Sequence, residues 1–241
     1  TTRALAAVAT GENILRDHGP LPGAVLTRVA ASHIRVGTFQ LVAAREDRAL
    51  LRRLADYVIQ RHYPALKEQA NPYLAMFGAV AERQAALIAG WMTVGFIHGV
   101  MNTDNMTLSG ETIDYGPCAF MDRFDAATVY SSIDENGRYA YGNQPMIANW
   151  NLARLAEAML PLFAEDTDTA VSLAMDVLNA FPQAYQTHWL NRMRAKLGMS
   201  GSQPDDMTLA NDFLGSMNGQ AVDYTQAFRC LGEVAKNSGN A

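Results

Sequence analysis

Hydrophobic positions along this chain follow two regimes. From residue 46 onward they recur every three or four places, the period of a helix with one buried face. Residues 46–63 carry Leu50, Leu51, Leu54, Tyr57 and Val58 on that spacing, and Pro64 closes the run. Residues 71–96 open with Asn71 at the cap position and Pro72 at the first helical one. Their apolar side chains are dense enough for a buried helix. The pattern predicts further helices over 145–163, 168–181, 182–198, 204–217 and 223–235.

The regime before residue 46 is mixed. Residues 23–39 are rich in Val, Ile, Thr and Phe and predict one or two strands, or a strand and a short turn. Residues 106–116 predict a tight hairpin turning at Ser109-Gly110. Residues 134–142 read as a turn-rich loop, and the last five residues are expected to fray. There is no internal repeat. The fold class is therefore mainly α with a few short strands, in one unit over 1–241: a strand-containing segment to residue 45, then a mostly helical remainder.

Composition narrows the function. A 241-residue chain that is 49% hydrophobic and 18% charged can build a substantial core. With 19 Lys+Arg against 24 Asp+Glu, a net charge of -5 and no basic run, neither a nucleic acid nor an anionic membrane is an expected partner. Cys118 and Cys230 fit no metal spacing and suggest reduced thiols. No apolar run reaches transmembrane length. The twelve Met residues lie mostly in the helical patterns, where they suit core filling. The chain starts at Thr rather than Met, and it is expected to be a piece of a longer polypeptide.

The chemistry concentrates in HGVMNTDNMTLSGETIDYGP, residues 98–117. A protein kinase holds its metal ions with a catalytic-loop Asn and the Asp of an Asp-Phe-Gly. Here His98 takes the loop His position, Asn105 stands seven residues on, and Asp114-Tyr115-Gly116 replaces Asp-Phe-Gly. Asn105 and Asp114 are oxygen donors of the kind Mg²⁺ prefers. Val100 stands where a kinase has its base, and Val accepts no proton. Asp104 is the acid nearest by in the loop. The plainer reading is a loop whose Asp and Asn cap backbone amides. It accounts for Asp104-Asn105 and less well for a second acid followed by Gly.

This stretch resembles the signature of the SelO (YdiU) family of pseudokinase-like protein adenylyltransferases. TGE, GAVLTRVAASHIRVGTFQ, YGNQPMIANWNLARLA and DYTQAFRCL follow the family in the same order, so the resemblance covers nearly the whole chain. It implies a protein-kinase-like large lobe with a catalytic-loop hairpin. It also implies ATP bound in a flipped orientation and AMP transferred to Ser, Thr or Tyr hydroxyls of protein substrates, with release of pyrophosphate. Asp104 would be the catalytic proton acceptor. Asn105 and Asp114 would hold Mg²⁺ (Mn²⁺ possible), and Arg28, Arg35 and Asp114 would bind the nucleotide.

His98 is expected to be architectural, and His33 structural rather than catalytic. Family members are longer and carry a small lobe upstream. The chain is thus expected to be a large-lobe fragment, with weak nucleotide binding and little activity alone. It would expose apolar surface along 23–39 that favours self-association. With no targeting segment visible in the sequence, the bacterial cytoplasm is the expected location. The alternatives are an atypical kinase-like phosphotransferase, disfavoured by Val100, and a non-catalytic ATP-binding pseudoenzyme.

Overall fold

Buried side chains from Val36 to Tyr224 form one continuous apolar cluster, and a helix of 23 residues runs through it. The computed structural model describes residues 2–16 and 19–238. Strands β1 (Arg3–Arg16) and β2 (Gly19–Val29) form an antiparallel ribbon. Helices α1 (Val36–Ala43), α2 (Arg48–His62) and α3 (Pro72–Val94) follow. The short strands β3 (Phe96–Ile97) and β4 (Ala119–Phe120) pair with each other. The chain then continues as α4 (Gln144–Phe163), α5 (Thr167–Leu197), α6 (Asp206–Met217) and α7 (Tyr224–Ser238).

Helix α3 is the central element, packed against α4 and α5. Its start matches the sequence reading. Asn71 Oδ1 accepts from the Leu74 amide at 3.1 Å, while Nδ2 donates to the Phe163 carbonyl at 2.8 Å. Its end is set by Gly95 at φ 70°, a left-handed conformation that Gly adopts freely. A Cβ there would also lie 3.0 Å from the Tyr224 ring. Met76, Met101, Met106, Met159 and Met193 are fully or almost fully buried, so methionine does serve as core filler.

Three expectations need correction. Residues 168–181 and 182–198 are one helix, α5, with Pro182 inside it. Proline removes one backbone hydrogen bond. Here Ala170, Ala174 and Phe181 on one side, and Trp189 and Met193 on the other, are all buried in the core, and that packing keeps the axis continuous. Second, β1 and β2 are long, not short, at 14 and 11 residues. Third, the strand predicted over 23–39 stops at Val29, and Val36 and Phe39 are buried residues of α1.

Between strand and helix the backbone pairs with the loop beyond α3. Val36 N–H donates to the Met106 carbonyl at 3.0 Å, and Leu108 N–H to the Ile34 carbonyl at 3.0 Å. The β-rich composition of this stretch thus serves a single bridge, Arg35 to Thr107. At the other end of the chain, Asn237 and Ser238 continue α7, and the rest of the segment expected to fray lies outside the described residues. Among the described residues no helix is long and apolar enough to cross a membrane.

Candidate functional site

The site is built on the loop from His98 to Pro117. The β3–β4 pair gathers its two ends, with Phe96 opposite Phe120 and Ile97 opposite Ala119. His98 is fully buried beside Trp91, ring centroids 5.4 Å apart. Its Nε2 lies 2.8 Å from the Ile113 carbonyl, and the Val100 amide points at Nδ1 from 3.4 Å. A carbonyl only accepts and an amide N–H only donates, so the imidazole is neutral with its proton on Nε2. Burial pushes its pKa below the ordinary value, consistent with that state. His98 thereby holds the residue before Asp114 and is architectural. His33 is exposed.

Asp104 and Asn105 sit on a single 3-10 turn, Thr103–Asn105. Asn102 caps it: its Oδ1 accepts from the Asp104 amide at 3.1 Å, and its carbonyl accepts from the Asn105 amide at 3.0 Å. Asp104 is exposed, with its carboxylate against the first turn of α1. Asn105 is buried, and its Nδ2 donates to the Val100 carbonyl at 2.8 Å. With the amide nitrogen engaged, the amide oxygen is the end left to a ligand.

Beyond this turn Met106 bridges Thr112 in antiparallel sense. The hairpin turn is wider than the two residues expected. Gly110 adopts φ 73°, and Thr107 spans the turn by donating its hydroxyl to the Glu111 carbonyl at 2.8 Å. The return strand delivers Asp114 at φ 62°, an uncommon backbone state for a residue with a side chain, though one that Asp tolerates better than most. Its carboxylate is half-exposed, 3.5 Å from Arg28 Nη1, a long contact between two wet groups that fixes little by itself.

Arg28 lies one residue before the end of β2, and Arg35 precedes α1. The linker between them is clamped at Ala31 from two sides. Glu111 Oε2 accepts from the Ala31 amide at 2.8 Å, and Arg61 donates to the Ala31 carbonyl at 2.6 and 3.0 Å. Arg35 Nε is buried with no hydrogen-bond partner. All five residues singled out in the sequence meet around this hairpin. Arg28 contacts Asp114, Arg35 bridges Thr107, Asp104 rests on α1 two residues after Arg35, and Asn105 adjoins the bridge that leads to Asp114.

Sequence reasoning missed the residues that hold this loop from behind. Gln144 Oε1 accepts from the His98 amide at 3.0 Å, and its Nε2 donates to the Phe96 carbonyl at 2.9 Å. Asn151 Nδ2 donates to the Met101 carbonyl at 2.8 Å. Both are fully buried on α4. A signal was present: 144, 147, 148 and 151 share one helical face, so two amides stand among core positions.

Among the described residues no three or more His, Cys, Asp or Glu side chains are grouped so that they could hold a metal ion by themselves. The oxygens of Asn105 and Asp114 nevertheless suit Mg²⁺, which takes few protein ligands and completes its shell with water and phosphate. The residues fit a metal that arrives with a nucleotide rather than one caged by protein alone.

Comparison with known proteins finds matches over almost the whole chain. The family model described as Protein adenylyltransferase SelO matches residues 1–240. A protein nucleotidyltransferase YdiU of Cereibacter sphaeroides (strain ATCC 17025) is 64% identical over 234 residues, 97% of this chain and 49% of that protein. The relatives of the same name from Rhizobium leguminosarum bv. trifolii and Rhizobium rhizogenes are 61% and 60% identical, over 97% and 100% of this chain and 47% and 48% of theirs. The chain spans about half the length of the curated relatives it matches.

Proposed function

The chain belongs to the SelO family, and from that membership we propose that the full-length protein is an adenylyltransferase that moves AMP from ATP to a Ser, Thr or Tyr hydroxyl of a protein. One observation carries the reading. An exposed carboxylate, Asp104, lies on the same loop as the oxygen donors Asn105 and Asp114, while Val100 occupies the place of a kinase base.

The reaction joins the acceptor oxygen to the α-phosphorus and breaks the bond to the β-phosphate, releasing pyrophosphate. Asp104 takes the hydroxyl proton. Asn105, oriented through its bond to Val100, and Asp114, placed by the His98–Ile113 contact, are the residues to hold Mg²⁺, or Mn²⁺ in its place. That ion, when bound, neutralises phosphate charge. Arg28 and Arg35 offer permanent positive charge to the phosphates. The unpartnered Nε of Arg35 is a donor without a use in the protein alone.

In this reading the chain is a kinase-like large lobe in the bacterial cytoplasm, where its two free cysteines would stay reduced. By itself it binds nucleotide weakly and transfers little AMP. Intact-mass spectrometry of the full-length protein with Mg-ATP and a mixture of proteins tests the activity. The expected result is addition of AMP, lowered about a hundredfold or more by Asp104→Ala and by Asp114→Ala. Addition of phosphate would replace this reading with an atypical kinase.

A further inference from the structure

We infer that Gly37 is a positioning residue for the Asp104 carboxylate, its missing side chain being the space that the carboxylate occupies. The inference rests on the reading of Asp104 as proton acceptor. Gly37 is the second residue of α1, a helix of only eight residues. Glycine is a poor choice there, because it weakens a helix relative to alanine. Nor does the backbone call for it: Gly37 lies outside the left-handed region that the positive-φ glycines of this chain occupy.

The explanation is steric. A Cβ added to Gly37 would fall 2.2 Å from Asp104 Oδ1 and 3.3 Å from its Cγ, with the Thr103 carbonyl next at 3.5 Å. The first contact is impossible and the last is ordinary, so the conflict is with the Asp104 side chain alone.

Neither backbone can readily give way. The start of α1 is tied to the loop by Val36 N–H to the Met106 carbonyl at 3.0 Å and by the Arg35–Thr107 bridge. The Thr103–Asn105 turn is tied to Asn102 by both its carbonyl and its side chain. A methyl group at 37 would therefore rotate the carboxylate away. Displacement of a reacting group by about 1 Å can cost on the order of a hundredfold in rate.

The test uses the full-length protein with four variants: Gly37→Ala, Asp104→Ala, the double variant, and Gly78→Ala as a control on α3, where an added Cβ meets nothing within 4 Å. Gly37→Ala is expected to lower kcat for AMP transfer at least tenfold and to leave KM for ATP within about twofold, as for a group that acts on the transition state. Gly78→Ala should match wild type.

Thermal melts keep the idea testable if Gly37→Ala is unstable. Any fall in Tm caused by the methyl group in the wild-type background should vanish or reverse beside Asp104→Ala, because the atoms it strikes are gone. Full kcat in Gly37→Ala with an inactive Asp104→Ala would overturn the role of Gly37 and leave the proposed function standing. A Tm loss that persists in the double variant would overturn it too. An active Asp104→Ala would instead remove the proton acceptor, and the proposed mechanism with it.

Discussion

His98 shows how a residue can matter to a reaction without touching it. Its ring fills a slot beside Trp91 and joins both sides of the hairpin through the Ile113 carbonyl and the Val100 amide. His98→Ala leaves that carbonyl unpaired in a cavity and is expected to cost roughly 2–4 kcal/mol in urea denaturation. Asp114 would lose its anchor, so AMP transfer by the full-length variant should fall as well. The pH dependence has a definite sign. Burial holds the folded imidazole below its ordinary value of about 6.5. Above that value the ring is neutral in both states and its contribution is complete. As pH falls, the unfolded chain takes up a proton that the folded chain resists, and stability is lost. Wild type should therefore weaken more between pH 7 and 5.5 than His98→Ala does. Equal slopes would mean that His98 is not the group responsible.

At the scale of elements, α3 and α5 show where local rules hold and where they yield. The start of α3 was legible because capping is local: Asn71 and Pro72 are neighbours of the amides they serve. The Asn71 side chain also reaches the Phe163 carbonyl at the end of α4, tying two helices together. Asn71→Ala is expected to cost about 1–2 kcal/mol, measured by thermal or urea unfolding. A loss within error of zero would show that water replaces both bonds. Helix α5 went the other way. Pro182 looks like a boundary over a few residues, but buried side chains on both sides make one continuous helix the better packed solution.

For the molecule as a whole, the conspicuous feature is the β1–β2 ribbon. Among its described residues Gly23 alone is buried, while Leu5, Val8, Leu15, Val25 and Leu26 are each more than half exposed. The exposed apolar surface expected along 23–39 is thus real as far as Val29, but the remainder of that stretch turns into α1 and the core. We propose that this ribbon drives self-association of the 241-residue chain. Val8 and Val25 face each other across the two strands and offer a direct test. Val8→Lys with Val25→Glu keeps a cross-strand pair and removes apolar area. Light scattering should then show association shifted to at least tenfold higher concentration. If wild type is a monomer throughout the same range, the ribbon is not adhesive.

Several features needed nothing beyond the order of residues. The helical periods, the Asn71-Pro72 start and the motif that carries His98, Asp104, Asn105 and Asp114 all lie within continuous stretches, and their signals are local. Tertiary structure decided what holds the motif in shape: Gln144 at the His98 amide, Asn151 at the Met101 carbonyl, Glu111 and Arg61 on either side of Ala31, and the room that Gly37 leaves for Asp104. The physical reason is common to these. Each side chain serves a backbone group distant in the chain, or yields room to a distant side chain. Backbone amides and carbonyls are the same at every residue, so a position that receives such a contact carries no mark of it in its own identity.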